Sequence, residues 1–148
     1  MKIAIATDHN GVEQKKYLIT NLKEYDFIDK SPNNTPTDDY PDFAFAVAQS
    51  VLNKEADLGI LMCGTGIGMS IAANKVRGIR CAHCSDISQA HLAREHNNAN
   101  IIALSYKQNL NEITLMIKEF IETTPSTEER HTRRVNKIIS YEGDHIAN

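Results

Sequence analysis

Cys63 heads a glycine-rich hexapeptide, Cys63-Gly64-Thr65-Gly66-Ile67-Gly68. The apolar run Leu58-Gly59-Ile60-Leu61-Met62 precedes it, and a helical-looking stretch, Ser70-Ile71-Ala72-Ala73-Asn74-Lys75, follows. A strand, a glycine turn and a helix N-terminus aim backbone N–H groups and a positive dipole end at one point, a cradle for anionic oxygens. The same field stabilises a thiolate at its edge. Gly64, Gly66 and Gly68 spell G-x-G-x-G, which is neither the dinucleotide fingerprint nor a P-loop, because no Gly-Lys-Ser/Thr follows. A cysteine phosphatase would need an arginine soon after the cysteine, and the chain runs Gly68-Met69-Ser70 instead. The plain alternative is a tight turn holding a core cysteine.

Other ionisable groups fall where a crevice could gather them. Asp8-His9-Asn10-Gly11 ends an apolar run and starts a helix, which places a carboxylate and an imidazole together. The competing role for Asp8 is a helix cap. His96, in Arg94-Glu95-His96-Asn97-Asn98, precedes another apolar run and can exchange a proton near neutrality. Alone it is equally a surface residue. Arg130 and Arg134 are four apart, on one face of a predicted helix, and two guanidinium groups so arranged suit a phosphate. The alternative is a solvated basic stripe, to which Arg133 is assigned. Cys81-Ala82-His83-Cys84 has C-x-x-C spacing, but residues three apart on a strand face opposite ways, so the sulfurs should diverge. His83, His91, His131 and His145 show no ligand spacing, and no metal is expected.

The elements that must position these groups alternate along the chain. Strand-like runs cover Ile3–Thr7, Phe27–Asp29, Leu58–Met62, Ile79–His83 and Ile101–Leu104. Between them, Leu18, Ile19, Leu22 and Tyr25 share one helical face, as do Phe43, Val47 and Val51, and Ile113, Met116, Ile117 and Phe120. Asn109 with Glu112, and Ser126 with Glu129, have capping-box spacing, so a last helix is expected over about 126–140. The βαβα order predicts an α/β fold: a three-layer, Rossmann-like parallel sheet of five strands with helices on both faces. In such sheets ligands bind beyond the carboxyl ends of the strands, where Asp8-His9, the Cys63 loop and the residues after Ile79–His83 fall. The stretch from Ser31 to Pro41 reads as a loop.

At 148 residues, 41% hydrophobic and 24% charged, the chain is expected to form one domain spanning 1–148. A net charge of −3 gives no reason to expect nucleic acid, and no apolar run has membrane-spanning length. The opening Met1-Lys2-Ile3-Ala4-Ile5-Ala6-Thr7-Asp8 is too short an apolar stretch for a signal peptide. Three cysteines cannot all pair within one chain, which points to reduced thiols in a cytoplasm.

Taken in order, Asp8-His9-x-Gly11, Asp39-Tyr40-Pro41-Asp42, the Cys63 hexapeptide, Ser70–Lys75, Gly78-Ile79-Arg80, His96-Asn97-Asn98 and Arg130-His131-x-x-Arg134 resemble the type B ribose-5-phosphate isomerases. That family also includes allose- and galactose-6-phosphate isomerases. The resemblance covers Ile3 to about Val135 and implies a flavodoxin-like fold. It implies a homodimer, or a dimer of dimers, with active sites between subunits and no cofactor. It implies interconversion of an aldose phosphate and a ketose phosphate, with ribose 5-phosphate first and a six-carbon phosphate as the alternative. By motif position, Cys63 matches the base that moves a proton between C1 and C2, and Thr65 with Gly64, Gly66, Ile67 and Gly68 matches the groups around the enediolate. His96 matches the ring-opening residue, with Asp8 nearby. Tyr40 matches a sugar-pocket residue, Asn97 a polar neighbour of the intermediate, and His9, Arg130 and Arg134 match phosphate binders. His96 and the arginines are expected from the partner subunit.

Some relatives carry a glutamate base where this chain has Met69, which leaves Cys63. Two positions depart from the pattern. Lys107 stands where arginine is common, keeping the charge but losing the bidentate fork, and Asn10 stands where a small residue is common. A non-catalytic sugar-phosphate-binding subunit is the reading from another class, and the presence of Cys63, Thr65 and His96 together opposes it. The chemistry suits the residues: a thiolate is a weak base for a carbon acid unless the enediolate is stabilised as it forms, and loop amides can supply that.

Overall fold

The computed structural model describes residues 1–144; His145 lies outside the described residues. Eleven elements follow in order: β1 (Lys2–Thr7), α1 (Val12–Asn21), β2 (Asp26–Asp29), α2 (Tyr40–Leu52), β3 (Leu58–Cys63), α3 (Ile67–Asn74), β4 (Cys81–His83), α4 (Ile87–Glu95), β5 (Ile101–Ser105), α5 (Leu110–Glu122) and α6 (Glu129–Asp144). The strands form one five-stranded sheet, β2-β1-β3-β5-β4, parallel at every pairing. The flavodoxin order is 2-1-3-4-5. Here β5 lies inside β4, so the residues after β5 sit directly beside those after β3.

Alternation along the strands splits the core in two. Ile3, Ile5, Ile60, Met62, Ile102 and Leu104 face α1, α4 and α5. Ala4, Ala6, Leu61, Cys63, Ile101 and Ala103 face α2 and α3. The smaller second set admits close helices: a methyl on Gly59 would lie 2.5 Å from Val47 of α2. Phe120, Ile113, Met116 and Ile117 are fully buried, as their spacing predicts, and Val47 and Val51 are buried likewise. Cys81 and Cys84 fall in opposite core layers, so the C-x-x-C pair is split across the sheet.

Three elements depart from expectation by more than one residue, each for a local reason. α1 stops at Asn21, and Tyr25 packs on the core from the following turn. β4 starts at Cys81 rather than Ile79, because Gly78 takes φ +88° and the Asn100 side chain binds the Arg80 amide and the Gly78 carbonyl. Ser126 does not cap α6: its Oγ accepts from the Glu128 amide (3.1 Å), a turn that precedes a helix beginning at Glu129. Among the described residues, no helix is long and apolar enough to cross a membrane.

Candidate active site

The site is built where β1, β3 and β5 end. Cys63 closes β3 and is nearly buried. Gly66 takes φ +83° and starts α3, which turns its amide back to donate to the Cys63 Sγ at 3.1 Å. A methyl on Gly66 would meet the Leu104 backbone at 2.9 Å, so neither the conformation nor the space admits a side chain. The Thr65 Oγ1 accepts from the Ile67 amide (3.1 Å), and His83 Nε2 donates to the Thr65 carbonyl (2.8 Å) from the end of β4. Ser105 Oγ donates to the Gly64 carbonyl at 2.8 Å. The loop is thus held on three sides. Gly68 faces the Tyr40 ring so closely that a methyl would lie 2.5 Å from Cζ, which sets Tyr40 against the start of α3.

Asp8 and His9 follow β1. The Asp8 carboxylate accepts from the Asn10 amide (3.0 Å), forming a turn, while Gly11 at the head of α1 has no side-chain cap. The helix-cap role for Asp8 therefore does not apply. His9 Nδ1 pairs with Asp38 Oδ1 at 2.8 Å, and the His9 amide donates to the same oxygen at 3.2 Å. Asp38 is nearly buried, but hydrogen bonds from Asn34, His9 and the Thr35 amide outweigh that burial and hold its carboxyl below the usual range. Beneath this loop lies Lys15, buried, with Nζ on the Ser31 carbonyl (2.6 Å), Ser31 Oγ (3.0 Å), Asn34 Oδ1 (3.3 Å) and Asp29 Oδ1 (3.1 Å). A buried ammonium ties the 31–38 loop to α1 and so supports Asp38 and His9. Lys107 is exposed near the glycine loop, its Nζ 4.0 Å from where a Gly64 methyl would stand.

His96, Asn97, Arg130 and Arg134 lie elsewhere. His96 and Asn97 precede β5, at the amino end of the sheet, whereas Cys63 pairs with Ser105 at its carboxyl end. The four steps of strand between them span about 13 Å. α6 crosses that amino end: Val135 and His131 face inward, and Glu142 accepts from the Gly78 amide. The His96 and His131 rings stack at 4.0 Å and 10°. Burial, then the neighbouring His96 and Arg130, push the His131 imidazole below its ordinary value. Arg94 ties the 96–99 turn to α4 through Asn98 (3.2 Å) and the Ala99 carbonyl (2.7 Å). Arg130 is exposed and pairs with Glu128 at 2.9 Å, and Arg134 is exposed one turn on. One chain therefore brings together Cys63, Thr65, Asp8, His9, Tyr40 and Lys107, and places His96, Asn97 and the arginines at the opposite end.

Three residues at the carboxyl end carry no mark in the sequence, Asp38, Ser105 and Tyr106, while His83, set aside there as a metal ligand, instead holds the Thr65 carbonyl. Applied to β5, the strand-end rule would have pointed to Ser105 and Tyr106. Asp38 carried no such signal, since its partner is 29 positions away. The three cysteines are all free, and burial pushes Cys81 up to about 12 and Cys84 up to about 11. Among the described residues, no cluster of three or more His, Cys, Asp or Glu is arranged to hold a metal.

Residues 3–138 match the family model described as Ribose/Galactose Isomerase. The chain is 38% identical over 151 residues to ribose-5-phosphate isomerase B of Mycobacterium tuberculosis, covering 99% of this chain and 93% of that one. The fold is similar to type B ribose 5-phosphate isomerase of Trypanosoma cruzi, with TM-score 0.93, 42% identity, and 98% and 100% of the two chains covered. It is also similar to ribose-5-phosphate isomerase B of Mycoplasma genitalium with bound ribulose-5-phosphate, with TM-score 0.89, 42% identity and 97% of each chain covered.

Proposed function

Since the chain belongs to the ribose/galactose isomerase family and is a sugar-phosphate isomerase, we propose that it interconverts ribose 5-phosphate and ribulose 5-phosphate with Cys63 as the base. The observation that carries this reading is the Cys63 sulfur at the end of β3, receiving the Gly66 amide at the start of α3. That amide fixes the sulfur at the end of the strand. The thiolate takes the proton from C2 of the open-chain aldose, electrons shift to the carbonyl oxygen, and an enediolate forms. The proton on O2 passes to O1, the C2–O bond becomes the ketone carbonyl, and the thiol returns its proton to C1, giving the ketose, so one group carries the carbon-bound proton in both directions. The loop amides and Thr65 stabilise the enediolate oxygens. The Mycoplasma genitalium structure with ribulose-5-phosphate supports a pentose phosphate as the ligand.

The rest of the site follows from the two-ended arrangement. His96 opens the furanose ring, with Asp8 nearby, and Asn97 and Tyr40 line the sugar. His9, Arg130, Arg134 and Lys107 bind phosphate, with the Asp38 carboxylate holding the His9 ring in place at 2.8 Å. His96, Asn97 and the arginines reach Cys63 only from a second copy of the chain, so the working unit is a homodimer joined partly through α6. The free thiols fit a reducing cytoplasm.

Incubation with ribose 5-phosphate and assay of ribulose 5-phosphate tests this directly. The family description also names galactose, so a six-carbon phosphate is the second reading. Turnover of allose or galactose 6-phosphate without turnover of ribose 5-phosphate would select it. Binding of sugar phosphates with no turnover would leave only a binding subunit.

A further inference from the structure

Tyr106 belongs to none of the motifs above, yet it stands beside the base. Its amide donates to the Cys63 carbonyl at 3.2 Å. Its ring packs on Gly11, where a methyl would lie 3.0 Å from Cδ1. Its hydroxyl reaches over Gly64, 3.6 Å from where a methyl on that residue would stand, and Lys107 Nζ is 4.0 Å from the same point. Of the two positions that depart from the family pattern, the Asn10 side chain bears on the phenol, and Lys107 Nζ shares the space over Gly64 with it. Burial, then the charges of Asp8 and Cys63, push the phenol above its ordinary value. It therefore stays a neutral donor between the acid and the thiol.

An enediolate carries two oxygens, and the Gly66 amide is committed to sulfur. Resting on the isomerase reading, we propose that Tyr106 is a further catalytic residue, whose hydroxyl donates a hydrogen bond to the sugar oxygen that becomes anionic as Cys63 removes the carbon-bound proton. Tyr106 keeps its own proton throughout; the carbon-bound proton passes through Cys63 from one carbon to the next. A donor matched to developing charge acts more strongly in the transition state than in the bound sugar.

Tyr106→Phe removes only the oxygen. The full chain and this variant are compared for kcat and KM with ribose 5-phosphate. They are also compared for affinity toward a five-carbon-type hydroxamate phosphate, which mimics the enediolate, and toward ribitol 5-phosphate, which lacks the carbonyl. The assignment predicts a fall in kcat of about a hundredfold, an unchanged KM, hydroxamate affinity weakened at least about tenfold, and ribitol 5-phosphate affinity unchanged. Unchanged kcat, or parallel weakening of both ligands, overturns it and leaves the ring a packing role. A wild-type chain that turns over no sugar phosphate overturns the isomerase reading and this assignment with it, whereas an active wild type with an equally active variant overturns the assignment alone.

Discussion

The Gly66 amide nitrogen lies 3.1 Å from the Cys63 sulfur because Gly66 occupies the left-handed region at φ +83°. The conformation and the sulfur contact are one feature. Gly66→Ala is predicted to destabilise the fold by at least about 1–2 kcal/mol from the left-handed backbone alone, with more from the Leu104 backbone in the way. Urea denaturation measures the loss. A variant as stable as wild type would show that the loop adopts another conformation without cost.

Cys63 and His96 stand at opposite ends of one sheet, so a shared site needs two copies of the chain. Cys63→Ala and His96→Ala are each predicted to be inactive alone. Co-expressed, they form hybrid dimers with one intact site, and random pairing restores about a quarter of wild-type activity. No recovery in demonstrated hybrids would place the working His96 within the same chain.

Lys15 is a buried ammonium with four oxygen partners under the 31–38 loop. Lys15→Met leaves these oxygens without their cation and is predicted to cost about 2–3 kcal/mol. The same loop carries Asp38, which holds His9, so KM for the sugar phosphate should rise more than kcat falls. Denaturation and steady-state kinetics check both parts. Unchanged KM would separate the Lys15 network from phosphate binding.

Two histidines should shape stability in opposite senses. The His131 pKa is lowered by burial and then by His96, Arg130 and Arg134, with Glu128 opposing. The unfolded chain therefore binds more protons, and the stability that neutral His131 contributes is complete above about 6.5 and lost as pH falls below it. The His91 pKa is raised chiefly by its hydrogen bond to Glu119. Its contribution is complete below about 6.5 and lost as pH rises through the raised value. Melting temperatures from about pH 5 to 8 should show His131→Gln flattening the acid side and His91→Gln the alkaline side. Both variants tracking wild type would contradict this.

What the sequence revealed and what it concealed divide along a physical line. The Cys63 loop was legible because glycine punctuation, a preceding strand and a following helix are all local. The split of Cys81 from Cys84 was legible because a strand alternates. The strand exchange that sets β5 beside β3 is a matter of packing, and it is what brings Tyr106 to Cys63. The Asp38–His9 pair and the His96–His131 stack join residues far apart in sequence. The Ser126–Glu129 spacing misled because a serine can serve a turn before a helix as readily as the helix itself.

If Cys63 moves the proton, its removal stops turnover without loosening the bound sugar phosphate. Cys63→Ala is to be assayed for ribulose 5-phosphate formation, with ribitol 5-phosphate affinity measured on the same preparation. Turnover is predicted to be lost while affinity stays at the wild-type value. Surviving turnover at undiminished affinity would contradict this and assign the proton transfer to another group.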